Sequence, residues 1–490
     1  MTGFLLAALS TPSHAASLDL IEVGGAYGTP GTTDATATWW NPAGLAAGSG
    51  TRFHLEGAPL FAKVDIARTN PVYPYDPSGY GPETYDYSGQ ARYTRSTVVP
   101  FIGIASDLGQ PGLGVGISLA VPHGRGAGGD PDQVTHHHLV KGGNQALYAQ
   151  VSGAYEVAQR FAFGVTGAFV ASEYTSDLYT ETLTGLNDGL KDTFNRDQDY
   201  YSDTALESTR YTAHAQSSAL KDSAITFGLG ARLKASEKVA LSVAYRHGFR
   251  VDNTGTATLT FDCPTVDDFW GRAGAELTGL CNAQLAARQT VGYDLPSRVH
   301  GSVLYTPINS VRLELMGGWV GWSVFQDYDI TIQVDPASVV DAATPELAQQ
   351  TAASVSQVKQ WARDNNDSFW FALDGKVKAD ERVEIGGRIL YDRAAVPTNA
   401  LSPNNYDANT LGVTAVILGH VHENLSLGAS AGQYFAGRRT VTDSVFGLAV
   451  APADRKDPRY FYPAMNGTYL STITRLGIIV RGQFQHGKKK

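Results

Sequence analysis

From about residue 50 onward the chain alternates apolar and polar residues with a period of two, a pattern that fits strands and no helix. Between Gln145 and Val157 the apolar or small residues Leu147, Ala149, Val151, Gly153, Tyr155 and Val157 alternate with Gln150, Ser152 and Glu156. The pattern returns at 225–233, 239–245, 299–305, 311–319, 383–391 and 425–431, and Glu156, Arg232, Arg246, Arg250, Arg312, Glu314, Glu384, Arg388 and Arg481 fall in the polar phase. The links between strands add a second regularity. Minimal ones (158–160, 235–238, 307–310, 379–382, 422–424) alternate with long ones (69–91, 123–142, 176–218, 261–294, 334–366, 392–409, 438–465). Tight turns at one end and long loops at the other are the asymmetry of an outer-membrane barrel. Between these links the pattern predicts an all-β fold, a 14-stranded antiparallel transmembrane β-barrel over 51–484. Lipid forces closure, because an open sheet edge would leave backbone groups unpaired in hydrocarbon.

Composition narrows the function classes. No run of residues is apolar and long enough for a transmembrane helix, which needs roughly 18 or more. With a net charge of −9 and no basic block except Lys488, Lys489 and Lys490, the chain offers no phosphate-binding surface, so nucleic acid is not an expected partner. Residues 1–15 carry a short apolar core, Phe4 to Leu9, then Ser13-His14-Ala15, and read as a signal peptide. Residues 16–50 precede the first strand, and 485–490 form a short tail after the last. Export suits Cys263 and Cys281, the only cysteines, which are expected to form a disulfide across one loop.

The segment AYGTPGTTDATATWWNPAGLA (26–46), with Asn41-Pro42-Ala43, resembles the N-terminal plug of the FadL family of outer-membrane long-chain fatty acid transporters. Leu295-Pro296-Ser297, the Trp-rich run 319–325 and Tyr391-Asp392-Arg393-Ala394-Ala395-Val396-Pro397 are similar landmarks in the same order. The resemblance implies a barrel blocked by a hatch at 16–50. It also implies that a long-chain fatty acid or other hydrophobic small molecule is captured outside and leaves sideways at a kinked third strand. The expected location is the outer membrane of a Gram-negative bacterium, among lipid and lipopolysaccharide, after insertion by the barrel assembly machinery.

Several positions carry that expectation. Asn41, Pro42 and Ala43 form the hatch motif, read chiefly as a turn. Gly112, Gly114, Gly116 and Pro122 in the third strand suit a kink with a lateral opening, or close packing against the hatch. Leu183, Leu186, Leu190 and Phe194 recur at helical spacing and, with Phe269 and Trp270 of the next long loop, are expected to form ligand-capture loops. A ligand carboxylate would call for a lumenal arginine, with Arg232, Arg246, Arg250, Arg312 and Arg388 as candidates by phase. His136-His137-His138 reads as a solvated loop and not a metal site, since no spaced carboxylate or Cys completes it. No metal and no cofactor are expected. Gly428-Ala429-Ser430-Ala431-Gly432 matches GxSxG, but within a strand and without a following helix, so a barrel lipid hydrolase ranks below a general porin, which is the first alternative.

Overall fold

The computed structural model describes residues 18–69, 88–181, 212–261, 276, 278–446 and 464–485. Its strands are β1 (Thr51–Arg68), β2 (Gly89–Ser106), β3 (Leu113–Gly128), β4 (Lys141–Val157), β5 (Phe161–Glu181), β6 (Thr212–Ser217), β7 (Leu220–Lys234), β8 (Val239–Arg246), β9 (Phe249–Phe261) and β10 (Gln284–Leu295). They continue as β11 (Arg298–Ile308), β12 (Val311–Val320), β13 (Asp327–Val334), β14 (Gln357–Ala362), β15 (Ser368–Lys378), β16 (Val383–Asp392), β17 (Thr410–His422), β18 (Leu425–Ala436), β19 (Arg439–Val441) and β20 (Gly467–Phe484).

All pair antiparallel in one sheet, and the sheet closes. One circuit runs β1-β2-β3-β4-β5-β7-β8-β11-β12-β15-β16-β17-β18-β20 and back to β1. Above it, β5-β6-β9-β10-β13-β14 extends one side of the wall. The expectation of fourteen uninterrupted strands is corrected in detail. Stretches read as single strands, 238–260 and 310–333, are each broken in two, and β10 and β14 lie in segments read as loops.

The breaks line up, and at them the wall changes character. Below them, side chains facing out are apolar and exposed, such as Leu241, Val243, Val299 and Val303, while Ser242, Arg246, Arg298 and His300 face in. Along the chain the inward phase switches from even to odd residue numbers at His247–Gly248 and back from odd to even at Pro296–Ser297. Above them Val251, Leu259, Phe261, Leu285, Val291 and Tyr293 are buried, and Arg250, Asp252, Thr256 and Arg288 face out. A one-residue slip of phase moves every side chain to the other face. The lower wall therefore suits hydrocarbon outside and a polar lumen, and the upper wall suits water outside and an apolar interior. Arg250, expected in the lumen, is consequently on the outer surface, where it meets Asp252, Asp294 and Asp329 at 3.2, 3.1 and 2.6 Å.

The segment 18–50, before β1, lies inside the barrel. It comprises α1 (Leu18–Ile21), a 3-10 turn Gly25–Tyr27, α2 (Ala37–Trp40) and a 3-10 helix Pro42–Ala47. Trp39 and Trp40 are each 2% exposed, and their indole N–H groups donate to the Leu20 and Val23 carbonyls at 3.2 and 2.8 Å. These bonds fold the hatch upon itself, and burying two indoles contributes several kcal/mol at roughly 25 cal/mol per Å².

Candidate functional site: hatch, chamber and wall gap

The hatch motif is a cap. Asn41 is extended, its side chain accepts from the Ala43 N–H at 3.1 Å, and Pro42 starts the following 3-10 helix, where a missing N–H costs nothing. The Asn41 Nδ2 also donates to the Ala231 carbonyl of β7 at 3.1 Å, fastening the turn to the wall. The wall accepts it because a side chain is missing: a Cβ on Gly230 would stand 2.0 Å from the Asn41 side-chain Oδ1.

Polar groups of the lower lumen hold the rest of the hatch. Glu314 accepts from the Thr29 hydroxyl at 2.8 Å and the Gly31 N–H at 2.7 Å, and Arg312 donates to it at 2.8 Å. Arg388 donates to the Gly28 carbonyl at 2.9 Å. Arg475 bridges Glu22 of the hatch and Glu56 of β1 at 3.1 and 2.5 Å, and Arg481 meets Asp34 at 2.5 Å. Of the arginines expected as carboxylate receptors, Arg312 and Arg388 are thus engaged with hatch and wall. Arg246 donates to the carbonyls of Trp39 and Thr38 at 3.2 and 3.4 Å, at the C-terminal end of α2. Its guanidinium lies 4.4 Å from the Trp39 ring centroid, and Arg298 lies 3.9 Å from it. Neither forms an ion pair among the described residues. Sequence reasoning missed Arg298 and its neighbour His300, whose ring nitrogen bonds the Trp40 carbonyl. Their signal was present: both alternate with the outward Val299.

Above this floor is the apolar chamber. Tyr293 stacks on Phe325 at 5.4 Å, and Tyr328 meets both edge-on at 5.2 and 5.0 Å. Tyr174 closes the group at 5.6 Å from Tyr328, and the Arg363 guanidinium lies over Tyr328 at 5.0 Å. His138 belongs to the same interior, fully buried with its ring edge-on to Trp361 and Phe446. The solvated-loop reading of His136, His137 and His138 is therefore corrected: the upper wall encloses this segment, and His136 packs 4.6 Å from Tyr179. No group of ligating side chains suited to a metal occurs among the described residues.

Among the described residues the wall has one long interruption, beside the hatch. Strands β2 and β3 pair from Phe101↔Ala120 to Ser106↔Val115 and again only at Thr94↔Gly128. On the other side of β3 the register to β4 slips between Ala120 and His123. Pro122 sits in that slip, where a residue without an N–H is tolerated. Gly112, Gly114 and Gly116 do not lie at the interruption, which corrects their placement there. Gly114 and Gly116 are paired to β4, and a Cβ on Gly114 would stand 2.3 Å from the Leu45 backbone carbon, so it serves close packing against the hatch. Gly112, at φ +80°, belongs to the turn before β3. On the outer surface the gap is flanked by exposed Phe61 of β1 and Leu147 of β4.

Leu183, Leu186, Leu190, Phe194, Cys263, Phe269 and Trp270 lie outside the described residues. Cys281 is disulfide-bonded. The GxSxG serine, Ser430, sits mid-strand in β18, where its hydroxyl accepts from Arg475 at 3.2 Å.

Comparison with known proteins agrees with this architecture. None of the curated proteins matches the chain. Among solved structures, a Pseudomonas aeruginosa FadL homologue superposes with a TM-score of 0.71 at 15% identity, covering 97% of this chain and 99% of that one. The P. putida toluene transporter TodX gives 0.62 at 12% identity, with 97% and 99% covered. The Ralstonia pickettii toluene transporter TbuX gives 0.58 at 13%, with 99% and 100% covered. At such identities these likenesses speak for the fold. The family model described as outer membrane protein transport protein (OMPP1/FadL/TodX) matches residues 6–413. A plugged β-barrel with an apolar chamber over a polar, hatch-filled lumen, matched along most of its length by that model, belongs to the OMPP1/FadL/TodX family of outer-membrane transport proteins, which are channels and not enzymes.

Proposed function

We propose that this chain takes up hydrophobic small molecules, aromatic hydrocarbons or long-chain fatty acids, by passive diffusion, and that they leave the barrel sideways between β2 and β3. The observation that carries the reading is the missing stretch of ladder between Thr94↔Gly128 and Phe101↔Ala120, flanked outside by Phe61 and Leu147. Unpaired backbone facing hydrocarbon is costly and persists only where something offsets it. An apolar molecule in the upper chamber would find in that gap a route to lipid that bypasses the hatch. Transfer of each CH₂ into an apolar phase contributes about 0.8 kcal/mol. The hatch, tied to the wall by Glu314, Arg388, Arg475 and Arg481, supports a selective channel over an open porin. The surroundings in this reading are outer-membrane lipid and lipopolysaccharide, and the assembly machinery is the partner that inserts the barrel.

The test is to place cysteines at Val98 and Val121 and join them with a short bifunctional maleimide in the assembled protein. Uptake of labelled toluene or oleate should fall at least tenfold after cross-linking and recover with a cleavable linker. Undiminished uptake through a cross-linked barrel would refute lateral release.

A further inference from the structure

The chamber contains an amide that its surroundings do not explain. On β9 the inward positions Val251, Ala257, Leu259 and Phe261 are apolar, but Asn253 occupies the same face and is 0% exposed. Neither its Nδ2 nor its Oδ1 makes a hydrogen bond of ordinary geometry. Its cross-strand partner is Val291, and the polar group it borders is the Tyr293 hydroxyl. Asn144, from β4 on the same side of the wall, borders that hydroxyl too. Its Nδ2 donates to the Tyr328 hydroxyl at 3.2 Å, and its Oδ1 is without a hydrogen bond. Among the described residues the Tyr293 hydroxyl makes one hydrogen bond of ordinary geometry, a long one of 3.3 Å shared with the Ser172 hydroxyl. Two amides and two phenols thus converge beside the Tyr293, Phe325 and Tyr328 rings with hydrogen-bonding capacity in excess. Buried polar groups in folded proteins are almost always satisfied, and a specific exception calls for an occupant.

The chemistry of the unfilled atoms limits that occupant. Asn253 offers two N–H donors and an acceptor, Asn144 an acceptor, so a group that both donates and accepts fits both. A bare hydrocarbon would leave all of them unsatisfied. A carboxylate, which only accepts, would pair with the Asn253 N–H groups and leave both amide oxygens unsatisfied, although Arg363 lies over the neighbouring ring at 5.0 Å from its centroid.

We infer that Asn253 and Asn144 form a neutral hydrogen-bonding subsite in the aromatic chamber, which recognises a hydroxyl on an otherwise apolar ring. The preferred ligands of this channel are then hydroxylated aromatics of the phenol class. This inference rests on the uptake reading above and narrows its substrate.

The test uses the purified full chain in detergent and calorimetric titration with toluene, 4-methylphenol and 4-methylbenzoate. The wild type should bind 4-methylphenol about 10-fold more tightly than toluene, a difference of about 1.4 kcal/mol. Asn253→Leu, which keeps the side-chain volume, should erase that ratio while binding toluene as well as the wild type, and should not lower thermal stability. Asn253→Ser should retain part of the ratio, and covers the case in which the leucine variant fails to assemble. Equal affinities for toluene and 4-methylphenol, or a ratio unchanged in both variants, would sink the subsite and leave the uptake reading standing. Tightest binding of 4-methylbenzoate would also overturn it, assigning the ligand's head to a cation. Failure of all three to bind would remove the uptake reading as well.

Discussion

Replacing Glu314 by alanine should loosen the hatch without unfolding the barrel. The carboxylate accepts from the Thr29 hydroxyl at 2.8 Å and the Gly31 N–H at 2.7 Å. Each hydrogen bond to a charged acceptor contributes about 1.5–3 kcal/mol net, so losing both destabilises the seated hatch by at least about 3 kcal/mol. That shifts the balance between seated and displaced hatch by roughly two orders of magnitude. Other ties remain, Arg388 to Gly28 and Arg475 to Glu22 among them, so the displacement should be local to 29–31. Glu314→Gln is the informative control. Its carbonyl still accepts from Gly31, and the Thr29 hydroxyl turns to accept from the new amide, so only the pairing with Arg312 is lost. In planar bilayers the alanine variant should show frequent conducting bursts and the glutamine variant few. Heat-modifiable migration on gels checks that both barrels have assembled. Bursts no more frequent in Glu314→Ala than in the wild type, with the barrel intact, would refute the reasoning.

Three further outcomes are expected. Gly114→Val should unseat the hatch by collision with the Leu45 backbone, raising conductance while leaving cross-linking across the β2–β3 gap unchanged. Gly248→Ala should cost about 1–3 kcal/mol in urea unfolding, because its Cβ would stand 2.5 Å from the Leu295 carbonyl at the break. Denatured, unreduced protein should show no thiol to maleimide, and reduction should lower the melting temperature, the loop closed between Cys263 and Cys281 contributing about 3 kcal/mol.

Much of this architecture is legible in the sequence where a single rule applies along a strand. The expected bounds 51–68 and 410–422 are those of β1 and β17, because there the alternation runs unbroken from turn to loop. It fails where the outside solvent changes along one strand. Alternation is symmetrical, so a run such as 239–261 reads equally well with its phase flipped, and extrapolating one phase carried Arg250 into the lumen. Gly248 and Pro296 were the local signs of the flip. The helix Pro345–Val355, within a stretch read as loop, was announced by Thr344, whose side chain caps it, and by Pro345 at its first position. Asn253 was harder to see, since one asparagine in a Thr-rich strand stands out only once its neighbours are known to face an apolar interior.

The phase switch at His247–Gly248 and Pro296–Ser297 makes the barrel wall act as a pair of stacked solvents. A solute descending the axis passes from surroundings like oil to surroundings like salt water, while the medium beyond the wall makes the opposite transition. At the crossover the oil continues only through the wall, not along the bore. Partition alone then gives a solute a direction of travel, with no moving part and no gradient other than its own.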